Sequence, residues 1–423
     1  MPPLDQSSTG IDLNSIDRML DSTGDGLQWS ATFQGLTLQT ALQPIFSISH
    51  KRVVGYEALI RAFDNDHSPV LPLHLFDLAA EHPQNLLLDR LCRTLHLRNF
   101  QNLSDRVNWL FLNVSPQCVA SGVQTDSFFG RLLESMGFPP HRVVVEIVEQ
   151  PTDDAEHLRE TVAYYRRLGC LTAIDDFGAG HSNFERIWNL RPDIVKLDRQ
   201  MLARATDDKR TRQILKGIVT LLHQSGCLVL LEGVETRDQA LIAVDAGVDF
   251  VQGYFFSHPT TALNTVARDN IDFDTLLSDY KNQVQDYTDP THGIANFFGR
   301  LFHDSIADLQ TGLPFAKACE QLTSHHAVSR CYLIGENGIQ LEDSIVSPRV
   351  EFNRDPRFRP LEDTAEADWY RQHYLRRALH NPQQLQVTRP YLSVTGAYMC
   401  VTLSLAFPLD GQTRVLCCDI LAH

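Results

Sequence analysis

Residues 171–199, LTAIDDFGAGHSNFERIWNLRPDIVKLDR, restrict the fold more than any other part of the sequence. A short apolar run ends in two adjacent carboxylates, Asp175 and Asp176, followed by a glycine-bracketed turn, Phe177-Gly178-Ala179-Gly180. After a short helical piece comes a second apolar run, residues 193–198, with Lys196 inside it. Burying strands that finish in charged groups is costly unless those groups meet a metal or one another. Parallel α/β sheets carry functional side chains where their strands end, so the two runs predict neighbouring spokes of one site.

Runs of the same kind recur along the chain. Candidate strands cover residues 41–48, 53–60, 109–114, 142–148, 171–177, 193–197, 228–233 and 249–256, each short, apolar and partly β-branched. Helical patterns lie between them: two within 73–100, then 126–136, 152–168, 209–225 with Gly226 as a stop, and 236–246 with Gly247. Eight strands with intervening helices over roughly 230 residues match one (β/α)8 barrel of the TIM type. Only residues 49–52 join the first two strands, too few for a parallel crossover, so the barrel should be irregular, with an antiparallel first strand.

Outside the barrel, residues 1–30 are rich in Ser, Asp, Gly and Thr and read as a flexible leader. The barrel is assigned to 31–262 and a helical linker to 263–312. Residues 313–423 form an α+β domain, with strands at 330–334, 339–344, 397–407 and 413–420 and a helical block at 369–380. Residues 409–411, Leu-Asp-Gly, read as the turn between the last two strands.

Composition narrows the function. A net charge of -15 argues against DNA or an anionic membrane as partner. Nine scattered cysteines without a Cys-x-x-Cys pair fit a reducing compartment and argue against a disulfide framework or a zinc cluster. No apolar stretch approaches the roughly 20 residues that span a bilayer, and a cytoplasmic location is expected.

The strand ends form one list: Glu57, Asn113, Glu146 with Glu149, Asp175 with Asp176, Lys196, Glu232 with Glu235, and Gln252. Taken singly, each reads as an ordinary solvated loop residue. Together they supply an oxygen or amine from one layer on seven successive strands. A ring of carboxylates repels itself unless cations sit inside it. Oxygen ligation selects hard ions, so two Mg2+ or Mn2+ are expected, with Asp175 set to bridge ions roughly 3.5–4 Å apart, as in phosphodiester hydrolysis.

These residues fall in motifs that resemble the EAL-domain cyclic di-GMP phosphodiesterases. The motifs are Glu57-Ala58-Leu59-Ile60-Arg61, Asn113-Val114-Ser115-Pro116, Glu146-Ile147-Val148-Glu149 and Asp175-Asp176-Phe177-Gly178-Ala179-Gly180. Lys196-Leu197-Asp198, Glu232-Gly233-Val234-Glu235 and Gln252-Gly253-Tyr254 complete the series, in family order, between about Leu38 and Pro259. The resemblance implies metal-dependent hydrolysis of cyclic di-GMP to linear pGpG by a homodimer. It implies metal ligation by Glu57, Asn113, Glu146, Asp175, Asp176 and Glu235, with Lys196 orienting the attacking water and Glu232 as general base. Glu149 would anchor the loop after Asp176, and Gln43, Leu59, Arg61, Asp198, Gln252 and Pro259 would bind substrate.

Two departures stand out. His181-Ser182-Asn183 replaces the family's Tyr-Ser-Ser in the loop that links the metal site to the dimer interface, and residues 75–98 differ from the usual pattern. The final segments, residues 391–411 and 416–420, look like the last strands of PAS- or Cache-type sensor domains, which implies a regulatory domain with a small ligand or a protein partner. The competing reading is a receptor that binds cyclic di-GMP without cutting it and signals through its C-terminal domain.

Overall fold

The computed structural model describes residues 12–22, 28–79, 83–103, 105–114, 128–148, 155–179, 184–263, 272–286, 290–348, 364, 366–393 and 398–422. The chain divides into two compact units, Met1–Lys281 and Asn282–His423.

The strands of the first unit are β1 (Leu20–Ser22), β2 (Trp29–Phe33), β3 (Leu36–Ser47), β4 (Arg52–Phe63), β5 (Pro69–Val70), β6 (Trp109–Val114), β7 (Val143–Val148), β8 (Leu171–Phe177), β9 (Ile194–Leu197), β10 (Leu228–Leu231) and β11 (Phe250–Val251). Eight of them close into a barrel in the order β3-β11-β10-β9-β8-β7-β6-β4, with β4 returning to β3. As the short 49–52 connection requires, β3 runs antiparallel to β4, and it is antiparallel to β11 as well. The remaining neighbours are parallel.

A plug of apolar side chains fills the barrel: Ile45, Phe111, Val144, Ala173, Ile194, Leu230 and Phe250, one from each strand except β4. Strand β4 has Gly55 there because the Phe111 ring occupies the space, 2.8 Å from where a Cβ would lie. The helices cover the outside of the barrel through a second and larger apolar cluster.

Three expectations need correction in this unit. Residues 12–22 are not a leader. Helix Leu13–Asp17 is capped by Asp12, which accepts from the Ser15 amide at 2.9 Å; its Ile16 is fully buried, and β1 pairs with β2. The polar composition of this segment masked an apolar spacing at Leu13, Ile16 and Leu20. Strand β2 also escaped the sequence reading. The last barrel strand is two residues long rather than eight, since Gly253 turns the chain at φ 156, with Val234 backbone where a Cβ would stand.

The second unit holds an antiparallel sheet of β12 (Val328–Gly335), β13 (Ile345–Val346), β14 (Gln386–Val387), β15 (Tyr391–Leu392), β16 (Met399–Leu409) and β17 (Gln412–Leu421). Its order is β13-β12-β17-β16-β14, with β15 also on β16. The β16–β17 hairpin turns at Asp410 and Gly411, both at positive φ, as a two-residue turn matching strand twist demands. Apolar clusters lie on both faces: helix Pro290–Gln310 contributes to one and helix His373–His380 to the other. The expected strand over 339–344 is absent. Only isolated bridges occur there, and the Gln340 side chain is taken up by the Trp369 indole at 2.9 Å. The helical block begins at His373, not 369, because Trp369 is held by its amide to Gly338.

Candidate active site

Side chains two positions apart on a strand share a face. Stepping two residues from each plug residue toward the same barrel end gives Gln43, Glu57, Asn113, Glu146, Asp175, Lys196, Glu232 and Gln252, one from every strand or its immediate end. The acidic ring expected from the sequence is therefore the layer directly above the apolar plug.

Lys196 stands at its centre. Its side chain is 1% exposed, and its Nζ lies 2.5 Å from Glu146, 2.7 Å from Glu232, 3.0 Å from Asp175 and 3.6 Å from Glu57. Burial alone would lower the lysine pKa, but the carboxylates outweigh it and hold it well above the ordinary value. Glu57 also accepts from Gln252 Nε2 at 2.7 Å on its other oxygen and from Asn113 Nδ2 at 3.3 Å on the oxygen nearest Lys196. Gln252 also donates to Gln43 at 3.2 Å, and Gln43 donates to the Ser257 carbonyl at 3.2 Å.

One lysine cannot balance this many carboxylates. Burial pushes Glu146 well up, the neighbouring Glu57 and Asp175 add to the shift, and only Lys196 opposes it. Glu232 is pushed up to about 8, again chiefly by burial against the pull of Lys196. Glu146 is completely buried, yet neither of its oxygens accepts a well-aligned hydrogen bond, and Gln252 Oε1 is likewise unpartnered. Buried oxygens with no well-aligned donor and only one shared lysine nearby, in excess negative charge, fit divalent cations.

Alternation on a strand would point Asp175 inward and Asp176 outward, but both line the site. The β8–β9 register shifts between Ile174 and Phe177, and Asp176 sits at φ 58. A bulge of this kind re-aims side chains next to functional sites, and Asp is among the few residues that tolerate the left-handed region. The Asp176 amide donates to Asp175 Oδ1 at 3.0 Å. Asp175, Asp176 and Glu232 offer oxygens within 4.8 Å of one another, a grouping suited to one metal ion. Asp176 is raised by burial and by Asp175.

The layer floors a cavity of about 330 Å3 whose lining adds Leu59, Arg199, Gly233, Glu235, Gly253 and Tyr254. Glu235 is held at the rim by its amide, which donates to Gln239 Oε1 at 2.8 Å beside the Thr236–Gln239 capping box.

The remaining expected residues stand elsewhere. Arg61 is half-buried, donates to the Ile60 carbonyl at 2.9 Å and is not in the cavity lining. Asp198 caps helix Arg199–Asp207 by accepting from the Gln200 amide at 2.9 Å. Pro259 follows the Ser257 carbonyl that receives Gln43, outside the lining. Glu149 and His181 lie outside the described residues. Arg199 and Tyr254 line the cavity without having been singled out as site residues; the position of Arg199 one residue beyond the Lys196-Leu197-Asp198 run was the available signal.

The family described as EAL domain matches residues 28–259, more than half of the chain. The Bacillus subtilis YkuI protein, an uncharacterised EAL-domain-containing protein, is 27% identical over 389 residues, covering 88% of this chain and 91% of YkuI. Its crystal structure, in complex with substrate c-di-GMP and calcium, superposes with a TM-score of 0.73 at 24% identity, covering 91% of this chain and 96% of that one; the likeness shows a common fold. The cyclic di-GMP phosphodiesterase RocR of Pseudomonas aeruginosa is 29% identical over 51% of this chain, and an uncharacterised protein of Azorhizobium caulinodans 31% identical over 51%. The chain spans 56% of RocR and 30% of the Azorhizobium protein.

Proposed function

This chain belongs to the EAL-domain family, and from that premise we propose that it hydrolyses cyclic di-GMP to linear pGpG with the help of two Mg2+ or Mn2+. The observation that carries this reading is the buried Glu146–Lys196–Asp175–Glu232 cluster, whose negative charge exceeds what its one lysine balances. Glu57, Asn113, Glu146, Asp175, Asp176 and Glu235 would hold the cations. When bound, these ions supply Lewis acidity at the scissile phosphate and neutralise charge developing on it.

The chain's own groups account for the rest. Water adds to one phosphorus and the P–O3′ bond breaks; the water's proton passes to Glu232, and the 3′ oxygen takes a proton from solvent and leaves as a hydroxyl. Lys196, held protonated by its carboxylates, orients the water through its N–H groups. Glu232, with its raised proton affinity, takes the proton from that water. Gln43 and Gln252 form one wall of the cavity, and Leu59 offers apolar surface to a base. Arg61, Asp198 and Pro259 are assigned to the substrate's periphery, and Glu149 to the loop after Asp176. The second unit, an antiparallel sheet with helices on both faces, is proposed as a PAS- or Cache-like regulatory domain acting on a barrel homodimer.

The test is product analysis by chromatography: pGpG should form with Mg2+ or Mn2+. Tight calorimetric binding with calcium but no pGpG with either activating metal would replace this function with that of a non-hydrolysing receptor.

A further inference from the structure

The substrate proposed above carries two phosphodiester groups, while five carboxylates line the cavity: Glu57, Asp175, Asp176, Glu232 and Glu235. Cations bound among those carboxylates serve the phosphate that reacts. The other phosphate needs positive charge from the protein; besides Arg61, assigned above to the substrate's periphery and outside the lining, the cavity lining itself offers two cationic side chains, Lys196 and Arg199. Lys196 is held by Glu57, Glu146, Asp175 and Glu232, and its remaining donor capacity is assigned above to the attacking water. Arg199 is exposed and, among the described residues, no ion pair ties it to a carboxylate.

Its placement is built rather than incidental. Arg199 opens helix Arg199–Asp207 directly after the Asp198 cap, a position where the helix dipole disfavours a cation. The backbone of the facing loop accommodates it: Gly233 sits at φ 64, and a Cβ there would lie 2.4 Å from Arg199 Cβ. Going round the barrel, β9, from which Arg199 follows, stands four strands from β4 in either direction. The elements that carry Arg199 and Leu59 therefore lie on opposite sides of the barrel, and both residues line the cavity.

We propose that Arg199 is a substrate-positioning residue whose guanidinium binds an anionic phosphate oxygen of the cyclic dinucleotide, on the flank opposite Leu59. This rests on the functional reading given above. An arginine fork grips a phosphate through two parallel N–H donors, which lysine cannot reproduce.

Steady-state hydrolysis of cyclic di-GMP by the full chain tests it in Arg199→Met and Arg199→Lys. Loss of one charge-assisted contact should raise KM roughly ten- to hundredfold in Arg199→Met. The kcat should stay within about twofold, and Arg199→Lys should recover part of the loss. The Mg2+ activation curve should not move. An Arg199→Met enzyme with unchanged KM overturns the assignment, as does one whose only change is in metal requirement, since that is the signature of a residue that merely balances the acidic rim. If the wild type binds cyclic di-GMP without cutting it, calorimetric Kd in calcium replaces KM with the same expected ratio. A wild type that neither cuts nor binds removes the functional reading itself, whereas an active wild type beside an unaffected variant removes Arg199 alone.

Discussion

In the first unit one lysine, Lys196, stands among Glu57, Glu146, Asp175 and Glu232; in the second, one arginine, Arg330, stands against one aspartate, Asp419. Both clusters are buried: Arg330 is 3% exposed and Asp419 not at all. The second is charge-balanced. Arg330 Nε donates to Asp419 Oδ2 at 2.7 Å, while Thr402 and Tyr332 donate to Oδ1 at 2.7 and 3.2 Å. The guanidinium lies 4.5 Å above the Tyr332 ring, and its Nη1 is buried without a hydrogen-bond partner. The first cluster is unbalanced, leaves both Glu146 oxygens without aligned donors and floors an open cavity. Buried charge closed on itself holds a fold together, whereas buried charge left in excess beside a cavity is held for a ligand.

The largest effect that separates the two clusters is on rate. Glu57→Ala should lower pGpG formation by about a hundred- to a thousandfold, as loss of a group from an electrostatic site does, with the melting temperature nearly unchanged. Asp419→Ala should leave kcat within about twofold per folded molecule. Its cost falls on stability instead: an arginine buried without its partner destabilises by about 3–5 kcal/mol, read from urea unfolding. Glu146→Gln, in metal-free protein, is the mirror experiment. Relieving one of several crowded carboxylates should leave stability unchanged or raise it. Equal costs for Asp419→Ala and Glu146→Gln would break the distinction.

Divalent metal sharpens it next. With Mg2+ or Ca2+ at about 100 times its Kd, binding to the native state alone adds about 2.7 kcal/mol. That gain should appear only in the calorimetric transition of the first unit and vanish in Asp175→Asn.

The sequence made the acidic layer legible because each of its members sits beside a buried apolar run whose strand direction is fixed by the barrel. Glu146 two residues past Val144, and Lys196 two past Ile194, follow from period-2 alternation alone. Asp176 does not, since its inward position depends on a bulge and a left-handed residue that alternation cannot encode. Gly253 likewise looks like part of a strand by hydrophobicity, and it ends one because Val234 backbone leaves no room for a side chain. In the second unit, Arg330 and Asp419 lie nearly ninety positions apart, in strands whose pairing has no local signature. The ordered segment at 12–22 was hidden for a related reason: its few apolar residues are decided by contacts with the distant helix Gln84–Gln101 rather than by composition.

Proton linkage gives the smallest effect and the most direct view of the imbalance. Glu232, pushed up to about 8 in the folded chain, binds a proton that the unfolded chain has lost above about 4.5, so it lends stability that disappears as pH rises toward 8. His96 acts in the opposite sense. Buried against Thr40 at 2.9 Å, it is held down to about 3 by burial, so its contribution is complete above its ordinary value of 6.5 and lost below it. The two effects oppose each other between pH 4.5 and 6.5, which leaves the carboxylates alone to act from 6.5 to 8. Over that window the chelated first unit should lose about 1–2 kcal/mol, one proton being worth at most ~1.4 kcal/mol per pH unit. Saturating Ca2+ should flatten the slope, because the cations take over the charge that the shared proton was offsetting. Urea midpoints at pH 6.5 and 8, with and without Ca2+, measure it. A metal-free slope of zero or of rising stability would mean that Lys196 balances its carboxylates as fully as Arg330 balances Asp419.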